Sequence, residues 1–162
     1  MKGIAKGVLA IIVIPIFLQP IVEVINVLRE KIVISSAVWN ACNAAAESSM
    51  AYEAFRDRDV EINIEDFKDY FAEAFENAMD AEYESSEENS LTFKPYNDNF
   101  NDIIVNLSFE DGEENELKTV KVTARAETLY KFKNKYLQLA NRESSLDFNM
   151  VCERNLILRI RN

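Results

Sequence analysis

From Gly7 to Val22 the chain runs for sixteen residues without a charge, almost all of them apolar (GVLAIIVIPIFLQPIV), and a helical pattern continues beyond them to about Phe55. A chain that starts this way must find lipid, its own core or other copies of itself for that surface, because an exposed Ile, Leu or Phe forgoes about 1.5–3 kcal/mol of burial. At 1.5 Å per residue, a helix from Val8 to Phe55 is roughly 70 Å long, far more than a hydrocarbon core of about 30 Å requires. The strictly apolar run is somewhat short of the roughly 20 residues that a span needs. Admitting Glu23 and Asn26 extends it to Leu28. The expected organisation is residues 1–28 as a membrane anchor or filament core, and residues 29–162 as an extracellular head that includes the amphipathic half of the helix.

A removable secretory signal has a basic start, an apolar stretch and small residues at the cut. Lys2 and Lys6 supply the start, but Glu23, Val24 and Ile25 follow the apolar run, and no Ala-x-Ala pattern appears until beyond Val38. Retention is expected. Two lysines before the segment and an acidic domain after it place the N-terminus in the cytoplasm and the head outside. The net charge is −10, and Lys2 and Lys6 are the only basic residues before Arg29. Nucleic acid is a poor partner for such a chain, since its binding draws on Lys and Arg neutralising phosphates.

From Val24 onward the helix turns amphipathic. One line runs through Val24, Leu28, Ile32, Ser35/Ser36, Trp39, Asn43 and Ala46, and an adjoining one through Ile25, Ile34, Val38, Ala41, Cys42 and Ala45. Pro15 and Pro20 each remove one backbone hydrogen bond inside the apolar part. The polar stretch Arg56-Asp57-Arg58-Asp59 ends the helix, and Asn63 is placed to cap a second one over Ile64–Tyr83, with Phe67, Phe71, Phe75 and Met79 at helical spacing. Glu84–Ser90 reads as an acidic loop. After Leu91 the period changes to two. Ile103, Val105, Leu107 and Phe109 form one alternating set, and Val120, Val122, Ala124 and Ala126 another, with a turn expected at Asp111-Gly112. Phe148, Met150 and Cys152 make a third set and Leu156, Leu158 and Ile160 a fourth; Leu129–Leu139 fits either a strand or a short helix. The fold class is therefore α+β: a long, partly transmembrane N-terminal helix, a second helix, and an antiparallel sheet of four or five strands.

The chain has no His and only Gly3, Gly7 and Gly112, so the commonest general base and any glycine-rich phosphate loop are missing. No catalytic residue, cofactor or metal is expected, and the chain does not read as an enzyme. Cys42 and Cys152 are the only cysteines; outside the cell they can be paired or remain two buried thiols. Asn97–Asp102 carries enough oxygens for calcium but lacks the glycine and terminal glutamate of a calcium loop, and a plain turn is the better reading. Asn106-Leu107-Ser108 matches a glycosylation acceptor inside an expected strand. Glu23 is costly at the deep end of an apolar segment unless partnered, and the expectation is that it meets Lys6 or a free amine of a neighbouring subunit.

The first fifty or so residues resemble TadE-like pilins within the type IV pilin class. The likeness rests on Lys2-Gly3 and Lys6-Gly7 before the apolar run, Val13-Ile14-Pro15 within it, Val22-Glu23, and Asn40-Ala41-Cys42-Asn43-Ala44-Ala45-Ala46 on the emerging helix. The resemblance implies a peptidase cut after Gly3 or Gly7 and packing of first helices into a filament extruded by a cytoplasmic ATPase. Where such pilins carry a glutamate at the fifth position after the cut, this chain has Val8 or Ile12. It implies an assembly set of Lys6, Val8, Ile12, Pro15, Phe17, Pro20, Glu23 and Leu28, with the partner being the chain itself or a related pilin and the membrane its host before assembly. The alternative is a single-pass anchored binding domain of a secretion or conjugation apparatus.

Overall fold

The computed structural model describes residues 2–49, 62–114, 117–135, 137–139 and 149–158. Helix α1 spans Lys2–Ser49 with Pro15 and Pro20 inside it, and helix α2 spans Ile64–Met79. Five strands follow: β1 (Ala81–Glu87), β2 (Ser90–Pro95), β3 (Ile103–Glu114), β4 (Leu117–Leu129) and β5 (Asn149–Leu158). They form one antiparallel sheet in the order β1-β2-β3-β4-β5. The α+β class expected from the sequence is what the chain adopts. The helix break at residues 56–59, the last residues of α1 toward Phe55, Phe148 and Ile160 lie outside the described residues.

Both helices cover the same face of the sheet. Helix α2 lies over β1 and β2, and α1 packs against α2 and over β5 and β4. The reason is visible in the side chains. Phe67, Phe71 and Phe75 recur every four residues and are fully buried, so α2 presents one aromatic stripe to the sheet. Phe75 meets Phe93 of β2 in a tilted contact with ring centroids 4.6 Å apart, and Phe67 meets Phe109 of β3 edge-on at 5.4 Å. Under α1 the packing is finer. Ala37, Ala41 and Ala45 face inward with Ile34, Val38 and Cys42, and Ala124 and Ala126 of β4 are buried below. Small residues on both surfaces let the helix axis come close to the sheet. The other face of the sheet is polar, with Lys121 pairing with Glu110 at 2.9 Å and Thr123 donating to Asn155 at 2.8 Å.

Of the adjoining line of α1 read from the sequence, Ile34, Val38, Ala41, Cys42 and Ala45 face the core, whereas Ile25 is exposed. The first line is largely on the surface: Val24, Leu28, Ile32 and Trp39 are exposed.

Asn63 caps α2 as its position suggests: its side-chain oxygen accepts from the N–H groups of Glu65 at 3.1 Å and Asp66 at 3.4 Å. The helix ends at Met79, four residues before Tyr83, because Asp80 takes a left-handed conformation (φ 49°) and donates its N–H to the Glu76 carbonyl. Glu84–Ser90 is not a loop but most of β1 and the start of β2, joined by a tight turn in which Glu88 has φ 51°. Asp111-Gly112 is not the β3–β4 turn either; both residues lie in the ladder, opposite Val120 and Thr119. Gly112 answers a different need, since a Cβ there would come within 3.1 Å of the Thr119 hydroxyl. Met150, Cys152, Leu156 and Leu158, the described members of the two alternating sets at the end of the chain, lie on a single strand, β5, and the ambiguous segment divides: β4 ends at Leu129, Tyr130 bridges to Phe100, and residues 137–139 are helical.

Replacing Phe71 by Ala should cost about 3–5 kcal/mol and Asn63 by Ala about 1 kcal/mol. Denaturant unfolding of the two variants in mild detergent, followed by tyrosine and tryptophan fluorescence, checks both magnitudes and their order.

Candidate assembly surface

Helix α1 leads two lives along its length. From Ile34 to Ser49 one side is part of the head's core; from Gly7 to Val33 nearly every described side chain is on the surface. Exposure reaches 74% at Ile11, 68% at Phe17 and 66% at Ile32. Isolated surface apolar residues are ordinary, but a continuous apolar surface of this extent marks a site of association. Pro15 and Phe17 are exposed and Pro20 is half-buried, so the helical backbone passes through both prolines without the head covering them. Leu28 is exposed on the same surface. Gly3, Lys6, Gly7, Val8 and Ile12 all lie on α1, and a Cβ at Gly7 would meet open space; the side chains of Lys6, Val8 and Ile12 are outside the described residues.

The exception on this stretch is Glu23, 8% exposed and the one buried charged side chain among the described residues. Its carboxylate accepts hydrogen bonds from the backbone N–H groups of Lys133 and Asn134, the latter at 2.9 Å. Sequence reasoning expected a neighbour's Lys6 here; instead the partner is the chain's own segment after β4. A buried carboxylate is tolerable only when its lone pairs are satisfied, and two successive backbone N–H groups do this without a counter-charge. The signal missed was the ambiguous Leu129–Leu139 segment, whose irregular backbone frees those N–H groups. Tyr130, Lys133 and Asn134 border an open groove of about 670 Å³ whose other wall is α1 from Pro15 to Glu30. Burial, reinforced by Glu23 and Glu30, pushes the Tyr130 hydroxyl above its ordinary pKa.

This clasp limits the free stem. Above Glu23 the apolar run from Gly7 to Val22 is roughly 24 Å long at 1.5 Å per residue, against about 30 Å of hydrocarbon. Among the described residues, no helix is long and apolar enough to cross a membrane.

Cys42 and Cys152 are both buried free thiols. The Cys152 thiol donates to the Lys31 carbonyl at 3.5 Å, eleven positions before Cys42 on α1, which corresponds to about 16 Å along the axis. A disulfide needs Cα atoms within about 7 Å, so the pair is not placed to bridge. Burial pushes the Cys42 thiol up to about 12; burial also raises Cys152, partly offset by Lys31 and Arg154. The Asn97–Asp102 segment is a turn: Asn97 Oδ1 accepts from the Asn99 N–H at 3.1 Å, and the carbonyls of Asn99 and Asn101 accept from Lys131 N–H and the Thr128 hydroxyl. Among the described residues no group of acidic or Cys side chains is arranged to hold a metal. Asn106 is exposed, within β3.

No family model, no characterised protein and no solved structure matches this chain.

Two outcomes follow. Glu23→Ala leaves the Lys133 and Asn134 N–H groups without their acceptor, so amide exchange at these positions should accelerate by roughly 10–100-fold, in line with the 1–3 kcal/mol of an unpaired buried group, while the sheet's protection is kept. Hydrogen exchange by mass spectrometry reads this. Second, a thiol reagent at pH 8 should leave Cys42 unmodified in the folded protein and modify it on unfolding, because the thiolate is the reactive form. The folded thiol ionises above the unfolded one, so its contribution to stability is whole below about pH 8.5 and is lost as the pH climbs toward about 12. Unfolding midpoints across pH 7–11 should fall only on the alkaline side.

Proposed function

We propose that this protein is a structural subunit of a surface filament of the type IV pilin kind, one that assembles through the apolar half of its first helix. The observation that carries the reading is the stem itself, which leaves the head as a continuous helix with Leu9, Ile11, Ile14, Phe17, Leu18 and Ile21 all exposed. Burying a Leu- or Ile-sized side chain contributes about 1.5–3 kcal/mol. A dozen such residues therefore offer tens of kcal/mol gross, from which ordering and desolvation costs are taken.

The shortness of the apolar run supports assembly over solitary residence in lipid. A stretch shorter than the bilayer is accommodated by thinning the membrane, by snorkelling flanking residues or by oligomerising. Lys2 and Lys6 at one end and Arg29 and Lys31 at the other can snorkel, and the copies then shelter one another's apolar sides. In this reading the membrane holds the stem before assembly and Val8–Leu28 becomes the shaft, while the alanines from Ala37 to Ala46 seat the helix in its own head. The head is the outer wall. The pilin-like residue pattern from Lys2-Gly3 to Asn40–Ala46 agrees with this role.

The test uses the full chain and a substitution that leaves the head alone. Phe17→Asp puts a charge on an exposed stem position, so the head's circular dichroism and unfolding should be unchanged. Negative-stain microscopy of detergent-depleted protein should show filaments of regular axial spacing for the native chain and none for the variant. A native chain that stays monomeric as detergent is withdrawn would overturn the proposal in favour of a lone anchored domain.

A further inference from the structure

After β4 the chain reads Tyr130-Lys131-Phe132-Lys133-Asn134-Lys135-Tyr136, and no acidic residue occurs from Thr128 to Arg142. In a chain with 28 acidic and 18 basic residues, this is a local reversal of charge. The alternation of β4 carries on into the segment. Tyr130 and Phe132 are buried, with Tyr130 meeting Phe132 edge-on at 5.3 Å and Phe100 at 5.9 Å. Lys131, Lys133 and Lys135 are exposed. The aromatic rings hold the segment, and the lysines are left to solvent.

The clasp fixes the height of this row along the stem. The N–H groups of Lys133 and Asn134 bond Glu23, the residue after the apolar run ends at Val22. The row therefore stands where the stem turns apolar. Headgroups add a layer of roughly 5–7 Å to each face of the hydrocarbon, and a stem of roughly 24 Å in about 30 Å of hydrocarbon draws the head down into it. Nearby acids are already engaged or turned inward. Glu23 is buried in the clasp, and Glu30 is half-buried in the groove that Lys133 borders. Glu127 pairs with Arg125 at 2.6 Å. Asp98 and Asp102 are exposed on the adjoining turn, and Asp102 shares a hollow with Lys131, so Lys133 and Lys135 carry most of the row's charge.

We infer that this row is a contact for anionic phospholipid: while the stem is in the membrane, Lys133 and Lys135, with Lys131 beside them, rest on lipid phosphates and seat the head on the bilayer. The inference rests on the reading that lipid holds the stem before assembly, and it names the lipid class and the part of the head that meets it. A lysine at an anionic surface strengthens binding about fivefold, and the effect fades over about 10 Å at 0.1 M salt. Range decides the sign. Cys152 bonds the Lys31 carbonyl and Arg154 bonds Ser35, so β5 runs along α1 and the sheet extends away from the apolar run. Glu110 and Glu113 on β3 lie roughly 20–30 Å beyond the row's end of the sheet at 3.3 Å per residue. Salt screens them from the membrane, and the net charge of −10 does not drive the head off.

Lipid selectivity reads the contact. Full-length protein is placed in phosphatidylcholine nanodiscs with a trace of spin-labelled phosphatidylglycerol or phosphatidylcholine, and the motionally restricted fraction of each label is compared. The Lys133→Gln/Lys135→Gln protein is set against Lys68→Gln/Lys121→Gln, which removes equal charge elsewhere on the head. Both should keep the native circular dichroism, since all four lysines are on the surface and the clasp uses backbone N–H groups. The preference for the anionic label should fall about fivefold or more in the first variant and stay native in the second. About 0.5 M salt should weaken it in the native protein. A preference unchanged in the first variant, or lowered equally in both, overturns the contact and leaves anionic lipid to Lys2, Lys6, Arg29 and Lys31 of the stem. The filament reading survives that result. Absence of restricted lipid of either kind overturns residence of the stem in the bilayer, and the contact with it.

Discussion

The head has no closed core without the lower half of α1. Among the described residues helix α2 covers β1 and β2, and α1 is the helix that lies across β4 and β5. That coverage depends on size: Ala37, Ala41 and Ala45 of α1 and Ala124 and Ala126 of β4 are all buried, and a larger residue at any of them would strain the packing. The stem is therefore not an appendage that the head carries. One continuous helix supplies the last piece of a soluble core and, four turns earlier, a surface that water does not favour.

Continuity alone does not fix where the two regimes meet. The Glu23 clasp does, because it fastens the helix to the Lys133–Asn134 backbone three turns above the first fully buried stem residue, Ile34. Between them Val27 packs against the core, Glu30 borders the groove and the Lys31 carbonyl accepts from the Cys152 thiol. The arrangement gives the stem two well-separated holds on the head, so its direction is set and not left to a hinge. A carboxylate suits this task better than an apolar contact. It is satisfied only where the two N–H groups point, and any slide of the helix along its axis leaves a buried charge and two donors unpaired.

Much of this was legible in the chain and some was not, for identifiable reasons. The aromatic stripe of α2 and its Asn63 cap were readable because each rests on local spacing. So were β3 and β4, whose alternation spans long segments. The first strand was not, since AEYESSE has one buried residue, Ala81, and an edge strand facing water leaves no period to find. Its turn uses Glu88 at positive φ, a conformation that residue type does not announce. Asp111-Gly112 misled for the opposite reason. The pair is a strong hairpin signal, but here glycine serves the close approach of Thr119 across the ladder. On α1 both lines of the amphipathic pattern were seen, yet sequence alone did not say which the head would take. The choice follows from size, as the alanine line can approach a sheet and the Leu28–Ile32–Trp39 line cannot do so without bulk. Glu23 was recognised as needing a partner, but the partner sits 110 residues away on irregular backbone, beyond the reach of any local rule.

The same division of faces bears on how copies can coexist. Each chain carries a net charge of −10, with the acid spread over the head, so heads repel at distances within about 10 Å at ordinary ionic strength. Stems have no such repulsion along the uncharged run, and there association recovers the burial that the folded monomer leaves unmade. In the proposed filament both tendencies are met at once: stems converge on an axis while heads diverge from it.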